Sequence, residues 1–430
     1  MPDIPFGFAL PGGQPPDPND PQQMQQFMAQ LQQLLAAPGS GPVNWDLARQ
    51  VAAAQLSQAG DPAVSPFERN AVEEVLRLAD LWLEQAVALP SGVKTAVAWN
   101  RNEWIYRTLD VWQKLCNPVA ERMVNAMGDL VPPEARAQLG PMHSMVTTLG
   151  GALFGGQLGQ ALGSLAAEVL SAGDIGLPLG PTGTGALIPA NIREFATGLE
   201  LPEDEVRLYV ALREAAHQRL FEHVPWLRGH ILNSVETYAN GITVNREAIE
   251  EAMGRIDPTN PESMQELALE GIFAPEDTPA QKASLARLET TLALVEGWVG
   301  HVVDMAVGDR LPNVVRLAEA FRRRRAAGGP AEQTFAALVG LELRPRRLRE
   351  AAALWTAVTE QRGVQGRDGL WGHPDLLPSG EDFADPEAFA RAQFDNGGLG
   401  DFDDLGDIDF GSDEGPKENP PKGEDKDKDE

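Results

Sequence analysis

The sequence predicts a mainly α-helical protein with a minor β component and with disordered termini. Three observations carry this. From about residue 43 to residue 364, apolar residues recur at three- and four-residue spacing in long runs, as they do on helices with one face in a core. Few segments have the β-branched, alternating character of strands. The two ends depart in composition: residues 1–20 are rich in Pro, Gly and Asp, and the last stretch is acidic and glycine-rich, with too little apolar surface to fold alone. The expected organisation is a Pro/Gln-rich N-terminal segment over 1–40, a helical domain over 41–392 and an acidic disordered tail over 393–430.

Each element has its own reason. Asp20 can cap a short helix with Pro21 in its first turn. Met24, Phe27, Met28, Leu31 and Leu35 then form one apolar stripe. That stripe docks on the main body, with docking on another protein as the alternative. "ERNAVEEVLRLADLWLEQAV" (Glu68 to Val87) places Val72, Val75, Leu76, Ala79, Trp82 and Leu83 at helical spacing, and "EWIYRTLDVWQKLCNPVAERMVNAM" continues with Trp104, Leu109, Trp112 and Leu115. These tryptophans read as core anchors. "GGALFGGQLGQALGSLAAEVL" carries glycines at 151, 155, 159 and 163, a smooth strip on which another backbone can approach closely. Its glutamines and serine, and the lack of flanking basic anchors, favour a tightly packed buried helix over a membrane span. "ALIPANI" (Ala186 to Ile192) and "GITVN" (Gly241 to Asn245) are the strand candidates. Packing is expected to thin out beyond Gly363.

Charge and cysteine content narrow the function. The net charge is −28, and half the excess lies between His373 and Glu430, where 19 acidic residues face 5 basic ones. Such a chain repels phosphate backbones, so nucleic-acid binding is excluded as a general role. Cys116 is the sole cysteine and the N-terminus has no signal-peptide pattern, so a cytoplasmic location is expected. Ten arginines lie between Arg310 and Arg349, among them Arg322 to Arg325 in one run. They form a solvated face, or a surface on which the acidic tail docks within the chain.

The stretch "ALREAAHQRLF" (Ala211 to Phe221) carries the chemistry. It is the zinc-hydrolase helix H-E-x-x-H with its first histidine replaced by Arg213. Pro202 and the acidic run Glu203, Asp204, Glu205 start this helix well. Val206, Val210, Arg213, His217 and Leu220 share a face, so positions 213 and 217 point the same way, one turn apart. Two histidines so placed grip one zinc, with the glutamate beside the metal-bound water. A guanidinium has no lone pair to give, so Arg213 cannot be a ligand.

Around this helix the chain resembles the uncharacterised zincin-like metallopeptidase family of high-GC bacteria, sometimes labelled as associated with deazaflavin coenzyme biosynthesis. The resemblance rests on "GPVNWDLARQVA", "LADLWLEQAVALP", "GQLGQALGSLAAEVL", "VRLYVALREAAHQRLFEHVPWLRGHI", "LETTLALVEGWVGHVVDMAV", "VGLELRPRRLREAAALW" and "LWGHPDLLP", which cover most of residues 41–380. It implies a largely helical zincin-like fold, with Glu214 as general base and His217 as a zinc ligand. By similarity to glutamate-type zincins, Glu296 of "VEGW" becomes the third ligand. Asp304, on the same predicted helix, is a candidate carboxylate to orient His217, and equally suits a surface position. Among possible substitute ligands, His223 lacks the glycine its spacing would need at Leu220, His301 is turned away from Glu296 on one helix, and His230 lies beyond "VPWLRG", a turn whose path the sequence leaves open.

Arg213 also has a positive reading. Without a dication, Glu214 and Glu296 would be two carboxylates in one partly buried cleft, and a permanent cation at position 213 can pair with a carboxylate in the metal's stead. The expectation is therefore a zincin-like homologue that binds a protein or peptide partner and does not hydrolyse it, with zinc absent or weakly held. A zinc-dependent hydrolase with altered ligands stays open beside it, as does a helical scaffold acting through its termini.

Overall fold

The structure, a computed structural model, describes residues 41–129, 140–240, 279–326 and 347–392. In chain order its elements are α1 (Trp45–Ala59), α2 (Pro66–Leu83), β1 (Thr95–Ala98), α3 (Arg101–Asp129) and α4 (Gly140–Ala166). There follow β2 (Thr184–Leu187), α5 (Pro189–Leu199), α6 (Glu203–His223), α7 (Pro225–Asn240) and α8 (Pro279–Val307). The last are α9 (Val314–Ala326), α10 (Leu348–Gly369), three short 3₁₀ turns and α11 (Pro386–Arg391). Mainly α with a minor β component is thus what the chain adopts. The expected helix near residues 21–35, the strand at Gly241–Asn245 and the acidic tail lie outside the described residues.

Local chemistry starts the helices where the sequence allows. The Asn44 side chain accepts from the Leu47 amide to cap α1. Ser65 and Glu68 close a reciprocal capping box on α2, with Pro66 in its first turn. Ala48, Ala52 and Leu56 are the buried side of α1, and Ala48 and Ala52 meet the glycine strip of α4. A Cβ on Gly155 would lie 2.4 Å from the Asn44 carbonyl oxygen, and one on Gly159 2.5 Å from that of Ala48. The strip is therefore a helix-packing surface, as its spacing predicts. No helix among the described residues is long and apolar enough to cross a membrane.

Among the described residues the β component is one parallel pair, with Thr95 opposite Thr184 through to Ala98 opposite Leu187. Ser171 bridges the other edge of β2 at Leu187. Here the expected strand Ala186–Ile192 is corrected. Extended pairing stops at Leu187, and Pro189, whose fixed φ suits a first helical turn, begins α5. β1 gives no sequence signal because four residues are too few to show a period.

The core gathers around α6, in which every residue from Tyr209 to Phe221 is buried. α2, α5, α8 and β2 surround it. Trp104 and Trp112 are buried and meet edge to face, as core anchors do. The expectation that packing thins beyond Gly363 is overturned. Gly363 takes φ 67°, which turns the chain within α10, and Trp371, Phe383 and Ala390 beyond it are buried. Trp371 stacks on Trp355 at 5.5 Å and meets Trp298 edge-on at 6.3 Å, so this last stretch closes over α8.

Candidate functional site

The α6 backbone sets Arg213, Glu214 and His217 within one and a half turns, and α8 runs beside it to bring in Glu296. Arg213 Nη2 donates to Glu296 Oε2 at 2.6 Å. His217 Nε2 lies 2.9 Å from Glu296 Oε1, and its Nδ1 lies 2.9 Å from the Arg213 carbonyl oxygen. The groups facing the two ring nitrogens are a backbone carbonyl and the Glu296 carboxylate. The arginine–carboxylate pairing anticipated for Arg213 is present as one hydrogen bond, because His217 and Arg325 occupy the other carboxylate oxygen.

Arg325, from the end of α9, is the participant that sequence reasoning missed. Its Nη2 donates to Glu296 Oε1 at 2.9 Å and also to the Asp174 carbonyl oxygen. Beside it, Arg324 Nη1 donates to Asp174 Oδ2 at 2.6 Å. Of the run Arg322 to Arg325, expected as a solvated face, only half behaves so. Arg322 and Arg323 pair with Glu319 on their own helix, whereas Arg324 and Arg325 turn inward. A run of four residues on a helix must present more than one face, and that was the available signal.

Burial alone would raise the Glu296 carboxyl, but Arg325, Arg213 and His217 outweigh it and hold it well below the usual carboxylate range. Asp174 behaves likewise: burial pushes it up, and Arg324 and Arg325 bring it below its ordinary value. Glu214 goes the other way. Burial raises it, and the hydrogen bonds from Ser171, Gly173 and Gln218 with the nearby His217 only partly offset that. Its carboxylate accepts from the Gly173 amide at 2.8 Å and from Gln218 Nε2 at 3.0 Å.

Residues 171–176 thus form a strap across the motif helix. Two glycines make the approach possible. A Cβ on Gly173 would stand 3.0 Å from Glu214 Oε2, and one on Gly176, where φ is 75°, would stand 2.6 Å from Glu296 Oε1.

Asp304 lines the same cleft as Arg213 and Glu296. Its anticipated role is corrected, because both His217 nitrogens already face other groups. The histidines weighed as substitute ligands bond elsewhere: His223 to the Ser91 carbonyl, His301 to Thr359 and His230 beside Thr291.

A sequence model of the zincin-like metallopeptidase family matches residues 43–390, most of the chain and all of the site just described. The chain belongs to that family. A crystal structure from Chloroflexus aurantiacus, described as a "putative hydrolase with a novel fold", has the same fold, with a TM-score of 0.58 and 24% identity. The match covers 81% of this chain and 97% of that one. No curated protein matches.

A zincin centre rests on three protein ligands and an open position for water. The donor set here does not fit it. His217 and Glu296 are the two ligand-type side chains that meet, and guanidinium groups stand on both oxygens of Glu296. Among the described residues, no group of three His, Cys, Asp or Glu side chains converges as a metal site would require.

Proposed function

We propose that this chain is a zincin-like metallopeptidase homologue with a degenerate H-E-x-x-H motif, in which Arg213 stands in for the metal and the site acts by binding. The observation that carries this is the Arg213–Glu296 pair, made by the two positions that would otherwise be metal ligands. A guanidinium so placed supplies the positive charge that a buried carboxylate needs, and offers no electron pair to zinc. Arg325 adds a second permanent cation on the same carboxylate. Glu214, the general base of the intact motif, is engaged by the strap and by Gln218, and in this reading it anchors those elements. The partner is a protein or peptide, and a lone buried cysteine suits a cytoplasmic protein.

Metal analysis of untagged protein tests the reading. Wild-type protein should be folded with far less than one zinc per chain, and Arg213→His should gain zinc that is lost again on adding His217→Ala. Near-stoichiometric zinc in the wild type, removed by His217→Ala alone, would sink the proposal.

A further inference from the structure

Glu296 lies at one side of a cleft between α6, α8, α9 and the start of α10, with an empty volume of about 590 Å³ including its open mouth. Its charged lining is Arg213, Arg322 and Arg325 against Glu296 and Asp304. His301 adds no charge: burial, with Arg367 nearby, lowers its pKa to about 4. Three cations against two anions leave one positive charge over. Arg213 and Arg325 are committed in part to Glu296. The Arg322 side chain is 45% exposed, and its partner Glu319, on the same helix, lies at 3.3 Å.

One wall is apolar. Phe321 packs against Tyr209 at 5.2 Å, and the Arg213 guanidinium stands 5.1 Å above the Phe321 ring. Ala318, Leu348 and Ala352 extend that surface. The α8 helix is also cut back where it faces the cleft. Gly297 is required by packing, since a Cβ there would stand 2.7 Å from that of Ala351. At Gly300, one turn on, a Cβ would meet nothing within 4 Å, so no neighbour explains this glycine. A glycine inside a helix is unfavourable against alanine, and at this position its missing side chain leaves the cleft open.

We infer that this cleft binds a monoanionic carboxylate carrying an apolar group, such as the C-terminal residue of a peptide. The carboxylate lies between Arg322 and Arg213, and the apolar group lies on Phe321 and Leu348. Arginine forks match the planar carboxylate. A phosphate dianion fits worse, because the lining has one charge to neutralise and Glu296 and Asp304 would oppose the second. The inference rests on the reading above only in taking the site to act by binding.

The test is calorimetric titration of the full chain with N-acetylphenylalanine, its amide and inorganic phosphate. The acid should bind saturably, with the amide and phosphate at least about tenfold weaker. Gly300→Leu should abolish binding by filling the cleft, and Arg322→Ala should weaken it about tenfold. Thermal melts check folding, and the exposed Arg322 keeps the test decisive if Gly300→Leu proves unstable. No saturable binding of the acid, equal binding of the amide, phosphate binding as tight as the acid's, or full retention in a folded Gly300→Leu protein would each overturn the inference. The two proposals fail separately: a metal-free chain that ignores the acid removes the pocket alone. A zinc-loaded chain that binds the acid removes the metal-free reading alone.

Discussion

Replacing Arg213 by methionine keeps an unbranched stem and removes the charged head group with its donors. Its side chain is 10% exposed and that of Glu296 3%, so the carboxylate left behind cannot recover water in exchange. Removing one partner of a buried ion pair costs about 3–5 kcal/mol. Arg325 and His217 still hold Oε1, whereas Oε2 loses Arg213, which places the expected cost at the lower end, about 3 kcal/mol. With an unfolding entropy of about 2.1 cal/mol/K per residue over roughly 350 residues, that lowers Tm by about 4 °C. The loss should depend on pH. The folded-state pKa of Glu296 is depressed below 4.5, so its pairing stabilises the fold above that value and is lost as pH falls through the folded pKa. In Arg213→Met that pKa moves back up, so the acid loss is smaller and is complete at a higher pH. Calorimetric melts at neutral pH and through the acid range measure both effects. An Arg213→Met protein that melts within about 1 °C of wild type at neutral pH, with the same acid profile, would show that this guanidinium does not support Glu296.

Three further outcomes follow from the packing. Gly159→Leu should destabilise by about 2 kcal/mol or more in chemical denaturation, since even its Cβ meets the Ala48 carbonyl. Gly156→Ala, with open space around it, should be neutral or stabilising by up to about 1 kcal/mol, and equal losses at both positions would contradict the α1–α4 contact. Cys116 is wholly buried, which pushes its thiol pKa up, so a disulfide reagent should label it only on unfolding; rapid labelling of native protein would refute that burial. Arg324→Ala should loosen the 171–176 strap, read as faster hydrogen exchange at the Gly173 and Gly176 amides. Unchanged protection there would mean that Asp174 does not need Arg324.

Periodicity alone was enough to place α6 and to put Arg213 and His217 on one face, because helical geometry acts over a single turn. The glycine strip of α4 was legible for the same reason, since a four-residue spacing makes a groove in any helix. Glu296 came from likeness to a family and not from spacing, and its place beside Arg213 was open until α8 was seen to pack on α6. Whether Asp304 would serve His217 or the surface stayed open, because helical register says which face a residue occupies but not which neighbour has already taken the nitrogen it would bond.

From its residues by itself, this chain reads as a helical protein with an arginine at the first histidine position of an H-E-x-x-H pattern, where a guanidinium has no electron pair for a metal. Only the tertiary structure decided what stands beside that arginine. Arg325, Gly173 and Gly176 reach the motif from segments far away in sequence. Charges and close approaches between such segments depend on how elements pack, which no single stretch of sequence encodes.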